Sequence, residues 1–145
     1  MLKTGIKALT FKALDQEGVE HRLADYEGKW VLLYFYPKDS TPGCTTEACA
    51  LRDNFVGFEM AEIEILGVSA DSVLSHDKFV SKFQLPFTLL SDPEKKIIIA
   101  YGANGFFRRI SYLINPAGEI VKAYEKVKPD DHAQEVLNDI KIFKY

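Results

Sequence analysis

The order of apolar runs and turn signals predicts a mixed α/β fold with a central sheet flanked by helices, and three observations carry that prediction. WVLLYFY, residues 30–36, is an unbroken apolar run rich in β-formers, as expected of a strand covered on both faces. A helical stretch and a second apolar strand, Ile63 to Ser69, follow it and complete a βαβ unit. Parallel neighbours joined by a right-handed crossover are the expected geometry. Further on, Ile110 to Ile114 and Glu119 to Tyr124 face each other across Asn115-Pro116-Ala117-Gly118, a strong turn sequence.

Taken in chain order, Phe11 to Leu14 and Val19 to Leu23 flank Asp15-Gln16-Glu17-Gly18 and predict an N-terminal β-hairpin whose glycine closes the turn. After the central strand, Thr41-Pro42 marks a helix start: a capping hydroxyl, then a proline where the missing N–H costs nothing. That helix is expected from Pro42 to Met60. A helix from Ser72 to about Phe83 follows the second strand, then a short strand, Phe87 to Leu90. Pro93 is expected to open a helix ending near Tyr101-Gly102. Asp130 and Asp131 place negative charge at the start of the last helix, which runs to about Ile142. No repeat, low-complexity segment or linker interrupts the 145 residues, so one domain spanning 1–145 is expected, and a thioredoxin-like fold fits the element order.

Composition narrows the function. A net charge of -3 argues against a nucleic-acid footprint, although Phe106-Phe107-Arg108-Arg109 has the look of a small stacking and phosphate patch. MLKTGIKALTF lacks the continuous apolar stretch of a secretory signal, and residues 30–36 are far too few to cross a bilayer, so a soluble cytoplasmic protein is expected. His21, His76 and His132 sit in no metal-ligand spacing and are expected at the surface. Neither a P-loop nor a dinucleotide fingerprint occurs, and no cofactor is expected.

The two cysteines, both inside PKDSTPGCTTEAC (37–49), are too few for a disulfide framework. In a reducing compartment such a close pair reads as redox-active, or as two inert buried helix residues. Position favours the first. Sites in open α/β sheets lie beyond the carboxyl ends of the strands, where Pro37 to Cys44 leaves the central strand, and Cys44 falls in the first helical turn. There the helix dipole and free N–H groups stabilise a thiolate. Cys49 is five residues on, which on an ideal helix separates the Cα atoms by about 8.7 Å. A disulfide needs less than about 7 Å, so the first turns must unwind if the two ever join. Gly43, Thr45 and Thr46, all mediocre or poor helix formers, suit that.

Pro37, Thr41 and Cys44 together resemble the P-x-x-x-T-x-x-C signature of peroxiredoxins, and TPGCTTEAC is similar to their Q-type, bacterioferritin-comigratory-protein branch. YEGKWVLLYFYPKD, EILGVSADSVLSHDKF, LPFTLLSD and RRISYLINPAGEI resemble the same branch in the same order. The resemblance implies a peroxidatic Cys44, a resolving Cys49, Thr41 and Arg109 holding the peroxide, Pro37 shielding the thiol, and Glu47 orienting the arginine. From the residues alone, Pro37 could simply end its strand, Glu47 could be a first-turn charge, and Arg109 could be a surface cation on an edge strand. The implied activity is reduction of hydrogen peroxide and organic hydroperoxides through a sulfenic acid and an intramolecular disulfide, with thioredoxin or a similar dithiol as reductant. A monomer, or at most a weak homodimer, is the expected assembly. A redox sensor or holdase on the same fold and a thiol–disulfide oxidoreductase are the alternatives; the absence of C-x-x-C weighs against the latter. Lowering a thiol pKa from about 8.5 raises the thiolate at pH 7 by at most about thirtyfold, so donors aimed at the breaking O–O bond must supply most of the acceleration.

Overall fold

A computed structural model describes residues 1–105 and 108–144. The elements are β1 (Lys12–Leu14), β2 (Glu20–Arg22), β3 (Trp30–Phe35), α1 (Pro42–Asp53), α2 (Phe55–Met60), β4 (Ile63–Ser69), α3 (Val73–Phe83), β5 (Thr88–Ser91), α4 (Lys96–Ala100), β6 (Ile110–Ile114), β7 (Ile120–Tyr124) and α5 (His132–Lys144). They build a seven-stranded sheet in the order β2-β1-β5-β4-β3-β6-β7. β3, β4 and β5 are parallel, and β6 returns antiparallel to β3 with Phe35 opposite Ile110. The mixed sheet, the βαβ unit and the N-terminal hairpin are as the sequence predicts.

β3 lies inside the sheet, and its residues from Val31 to Phe35 are almost wholly buried, which is why its sequence carries no polar alternation. Alternate side chains feed two cores. Leu32 and Tyr34 join Phe58, Phe79, Val136 and Ile140 on one face, whereas Val31, Leu33 and Phe35 join Ile97, Ile98, Tyr101 and Tyr112 on the other. Both loops expected as tight turns are closed by side-chain acceptors: Asp15 Oδ1 accepts from the N–H groups of Glu17 and Val19, and Asn115 Oδ1 from those of Ala117 and Glu119.

Strand ends shift by a residue from expectation, and three helices differ by more. The helix expected over 42–60 is two helices, because Asn54, at φ -105° and ψ 11°, leaves the helical path and directs its Nδ2 to the Ala50 carbonyl at 2.8 Å. Pro93 does not open α4. Asp92 reaches forward to the Ile98 N–H at 2.8 Å, and Lys95, at φ 59°, is left-handed, so the helix begins only at Lys96. Likewise α5 begins at His132 rather than Asp130.

The surface assignment of the histidines is corrected for two of the three. His76 and His132 are fully buried, and His21 is partly covered. Burial is tolerated because both ring nitrogens of each find partners. His76 reaches Asp39 Oδ2 at 2.7 Å and the Leu90 carbonyl at 2.9 Å. His132 reaches Ser111 Oγ at 2.9 Å and Glu135 Oε1 at 3.0 Å, fastening α5 to β6. Phe106 and Phe107, half of the expected stacking patch, lie outside the described residues. Among the described residues, no helix is long and apolar enough to cross a membrane.

Candidate active site

The site grows from the carboxyl end of β3. Tyr36 and Pro37 carry the chain out of the sheet, and the loop that follows is anchored from below by Asp39, whose side chain is buried. Asp39 Oδ1 accepts from the Tyr36 hydroxyl at 2.5 Å, Oδ2 accepts from Ser75 Oγ at 2.8 Å and faces His76, and the Asp39 N–H donates to Asp71 Oδ2 at 2.8 Å. With every polar group of this network satisfied, the loop root is fixed to α3. Asp39, Asp71 and His76 also place ligand-type atoms within 4.8 Å of one another. Their hydrogen bonds to one another and to their neighbours account for that closeness.

Thr41 precedes α1 in extended conformation, as an N-cap should, and Pro42 takes the first helical position. Its hydroxyl does not cap the helix, however. It donates instead to the Lys38 carbonyl at 2.8 Å, which corrects the capping expectation. The first helical backbone bond runs from Thr45 N–H to the Thr41 carbonyl, so the Gly43 and Cys44 N–H groups precede the ladder and carry the positive end of the dipole. Cys44 is 2% exposed and Cys49 is partly exposed; both thiols are free. α1 is helical through both cysteines, so they stand apart as ideal helix geometry requires.

Arg109 enters from the opposite direction. Because β6 pairs antiparallel with β3 and Ile110 faces Phe35, the residue before Ile110 comes to the mouth of the β3–α1 loop. Arg109 Nη1 donates to Glu47 Oε1 at 2.8 Å and to Cys44 Sγ at 3.5 Å. Its side chain is only 16% exposed and that of Glu47 1%, so neither a surface cation nor a solvated first-turn charge describes them. Burial raises the Glu47 pKa from 4.5 to about 7 against the opposing pull of Arg109. Burial works against the Arg109 charge, but the Glu47 contact outweighs it and holds the guanidinium more firmly protonated than usual.

Beside the first turn of α1 opens a cleft of about 470 Å³ lined by Pro37, Lys38, Thr41, Pro42, Gly43, Gly105 and Arg109. Its walls are mostly proline and glycine, and Arg109 and Lys38 supply its cations. A larger cleft of about 610 Å³, lined by Trp30, Phe55, Ile63 and Lys144 among others, lies at the start of β3 and β4 rather than at the carboxyl end of β3. The structure therefore brings Pro37, Thr41, Cys44, Glu47 and Arg109 together, while Cys49 stands further along α1.

Two features escape sequence reasoning. Tyr34 sits under this site with a buried hydroxyl that has no partner among the described residues, and the same holds for the buried Glu47 Oε2. Burial first, then the negative charges of Glu47 and Cys44, push the Tyr34 phenol far above its ordinary range, so it stays neutral. Within an apolar run, a tyrosine gives no sign of which way its hydroxyl points. Gly67 marks the room it needs: a Cβ there would stand 2.8 Å from the Tyr34 ring. The second feature is the Asp39–His76 anchor, whose partners come from three separate segments.

Comparison with known proteins agrees with this geometry. The AhpC/TSA family model matches residues 4–123. The peroxiredoxin Bcp of Bacillus subtilis is 41% identical over 150 residues, covering 97% of this chain and 96% of that protein. The Escherichia coli K12 peroxiredoxin Bcp is 39% identical with the same coverage. Among solved structures, a PrxQ mutant of Xylella fastidiosa superposes with a TM-score of 0.95 at 34% identity over 100% of this chain and 99% of that one. The bacterioferritin comigratory protein of Xanthomonas campestris, described for its alkyl peroxide reduction activity, gives a TM-score of 0.88 at 36% identity, covering 92% of this chain and 91% of that one.

Proposed function

Because the chain belongs to the AhpC/TSA family, we propose that it is a thiol peroxidase in which Cys44 is the peroxidatic thiol, Cys49 the resolving thiol, and Thr41 and Arg109 the groups that hold the peroxide. The observation that carries this reading is the Arg109 guanidinium shared between Cys44 Sγ at 3.5 Å and Glu47 Oε1 at 2.8 Å, at the first turn of α1. A cation beside one buried sulfur at the start of a helix favours negative charge on a peroxide oxygen next to it.

The Cys44 thiolate attacks one peroxide oxygen, the O–O bond breaks, and sulfur keeps that oxygen as a sulfenic acid. The other oxygen leaves with the bonding pair and takes a proton, departing as water or an alcohol. Arg109 stabilises the charge that grows on the leaving oxygen, a contribution of the kind worth about a hundredfold or more per donor. Thr41 acts from the other side. Since its own proton is committed to the Lys38 carbonyl, its oxygen is free to accept a hydrogen bond from the hydroperoxide. Pro37 walls the cleft and keeps water off the thiolate. Glu47 fixes the guanidinium and acts through it, as a positioning residue.

Resolution follows from how α1 is held. Its buried residues are Cys44, Glu47, Ala48 and Leu51, so the first two turns bury little apolar surface, while Leu51 anchors the rear. Truncating a fully buried leucine costs about 2 to 5 kcal/mol, a hold that the front of the helix lacks. The front unwinds, Cys49 attacks the Cys44 sulfur, the S–S bond forms, and the sulfenic oxygen leaves as water. Two electrons from thioredoxin or a similar dithiol then restore both thiols. One chain completes the cycle, consistent with a monomer in a reducing compartment such as the cytoplasm, and the proline-walled cleft suits organic hydroperoxides as well as hydrogen peroxide. Peroxide-dependent oxidation of a thioredoxin system by the purified protein tests the reading; no turnover with either class of peroxide would remove it.

A further inference from the structure

We infer that the absence of a side chain at Gly43 is what seats the Arg109 guanidinium over Cys44, so that Gly43 is a positioning residue for peroxide attack; the inference rests on the reading of Cys44 and Arg109 given above. A Cβ on Gly43 would lie 2.8 Å from Arg109 Nη2 and 3.7 Å from Cζ, and the next atom, Pro129 Cγ, is 4.0 Å away. The first of these is closer than a methyl carbon can approach a nitrogen, and among the described residues it is the guanidinium that stands in the way. On its other side the same group is committed through Nη1 to Glu47 Oε1 and Cys44 Sγ. The guanidinium is planar and rigid, so a retreat of Nη2 turns the whole group and disturbs the alignment of both Nη1 contacts. Gly43 and Glu47 thus act as two jaws, one by lacking a side chain and one by supplying a carboxylate.

Glycine is not needed here for the backbone. Gly43 lies within α1 and is absent from the residues with positive φ, so alanine fits its conformation and is the better helix former. Two explanations for glycine remain, and they affect different steps. If glycine serves only to ease unwinding of α1, replacing it slows disulfide formation and leaves attack on peroxide untouched. If it makes room for Arg109, replacing it slows the attack itself.

Gly43→Ala separates them in a rapid-mixing experiment that follows sulfenic acid formation and disulfide formation as two phases with hydrogen peroxide. The expected result is a first phase slowed by roughly tenfold to a hundredfold, the scale of an ångström-sized misplacement of a catalytic group. The deficit persists at alkaline pH, where the thiolate is fully formed. Thr46→Ala is the control, since Thr46 is exposed, bonds to the Pro42 carbonyl, and gains helix propensity without approaching Arg109. It slows the second phase alone. The cycle closes with Arg109→Ala: in that background Gly43→Ala has no further effect on the first phase, because the group it displaced is gone. A first phase of wild-type speed in Gly43→Ala overturns the inference. Should Gly43→Ala not fold, the Arg109→Ala pair decides, since alanine at 43 must be tolerated once the guanidinium is removed; continued destabilisation there overturns the inference too. Absence of any peroxide reaction in the wild type is a different failure, one that removes the peroxidase reading along with it.

Discussion

Glu47→Gln reports directly on the buried carboxylate that holds Arg109. Burial raises the Glu47 pKa from 4.5 to about 7, so between these values the folded protein binds a proton that the unfolded chain has released. Glu47 therefore favours folding most below pH 4.5, and that contribution is lost as pH rises through about 7. At about 1.4 kcal/mol per pH unit, the ionised carboxylate costs the fold about 3 kcal/mol once pH exceeds 7. Most of that change, about 2 to 3 kcal/mol, falls between pH 5 and 8. Glutamine keeps the shape and an oxygen for Arg109 Nη1 but does not titrate. Urea unfolding of both proteins across this range should thus show the wild type losing about 2 to 3 kcal/mol relative to Glu47→Gln as pH rises. Titrating groups that do not feel the Glu47 charge are common to the two proteins and cancel in the difference. Parallel stability curves would show that Glu47 ionises normally in the fold, and the account of a desolvated carboxylate clamped to Arg109 would be wrong.

Three further outcomes are expected. Cys44→Ser should abolish peroxide consumption while leaving the circular dichroism spectrum and unfolding midpoint near wild type; retained turnover would move the nucleophile elsewhere. Arg109→Ala should slow the peroxide reaction by about a hundredfold or more and remain slow at high pH, since the missing donor acts on the leaving oxygen as well as on the thiolate. Full recovery at high pH would restrict Arg109 to tuning the thiol. Burial lowers the His132 pKa below 6.5, against the pull of Glu135, so the unfolded chain takes up a proton that the folded one refuses. His132 accordingly supports folding above about 6.5 and loses that support as pH falls below it, and thermal melts of His132→Gln should show less acid sensitivity than wild type.

How much of this was legible in the sequence depends on where each residue's partners lie. β3 could be read from its composition alone because both of its faces are covered, and the hairpin turns because Asp15 and Asn115 act on backbone within four residues of themselves. The position of Cys44 was legible because strand end, proline and helix start fix it locally, whereas the roles of Thr41 and Pro37 came through resemblance. Arg109 could be proposed only through resemblance: 62 residues separate it from Glu47, and no local pattern states that β6 returns beside β3. The buried histidines misled for the same reason. His76 is made tolerable by Asp39 and Leu90, and His132 by Ser111, partners that propensity cannot see. The Asn54 break was missed because one side chain capturing the Ala50 carbonyl outweighs the helical character of the residues around it.

The central claim is that one chain carries both halves of the cycle, with α1 unwinding between them. The most direct measurement is amide exchange and intact mass, side by side, on the reduced protein and on protein treated with one equivalent of hydrogen peroxide. The account predicts a product of monomer mass, two hydrogens lighter, with Cys44 joined to Cys49, faster exchange across residues 42–50, and unchanged protection in β3. A disulfide-linked dimer as the main product, or an intramolecular disulfide with α1 as protected as before, would contradict it.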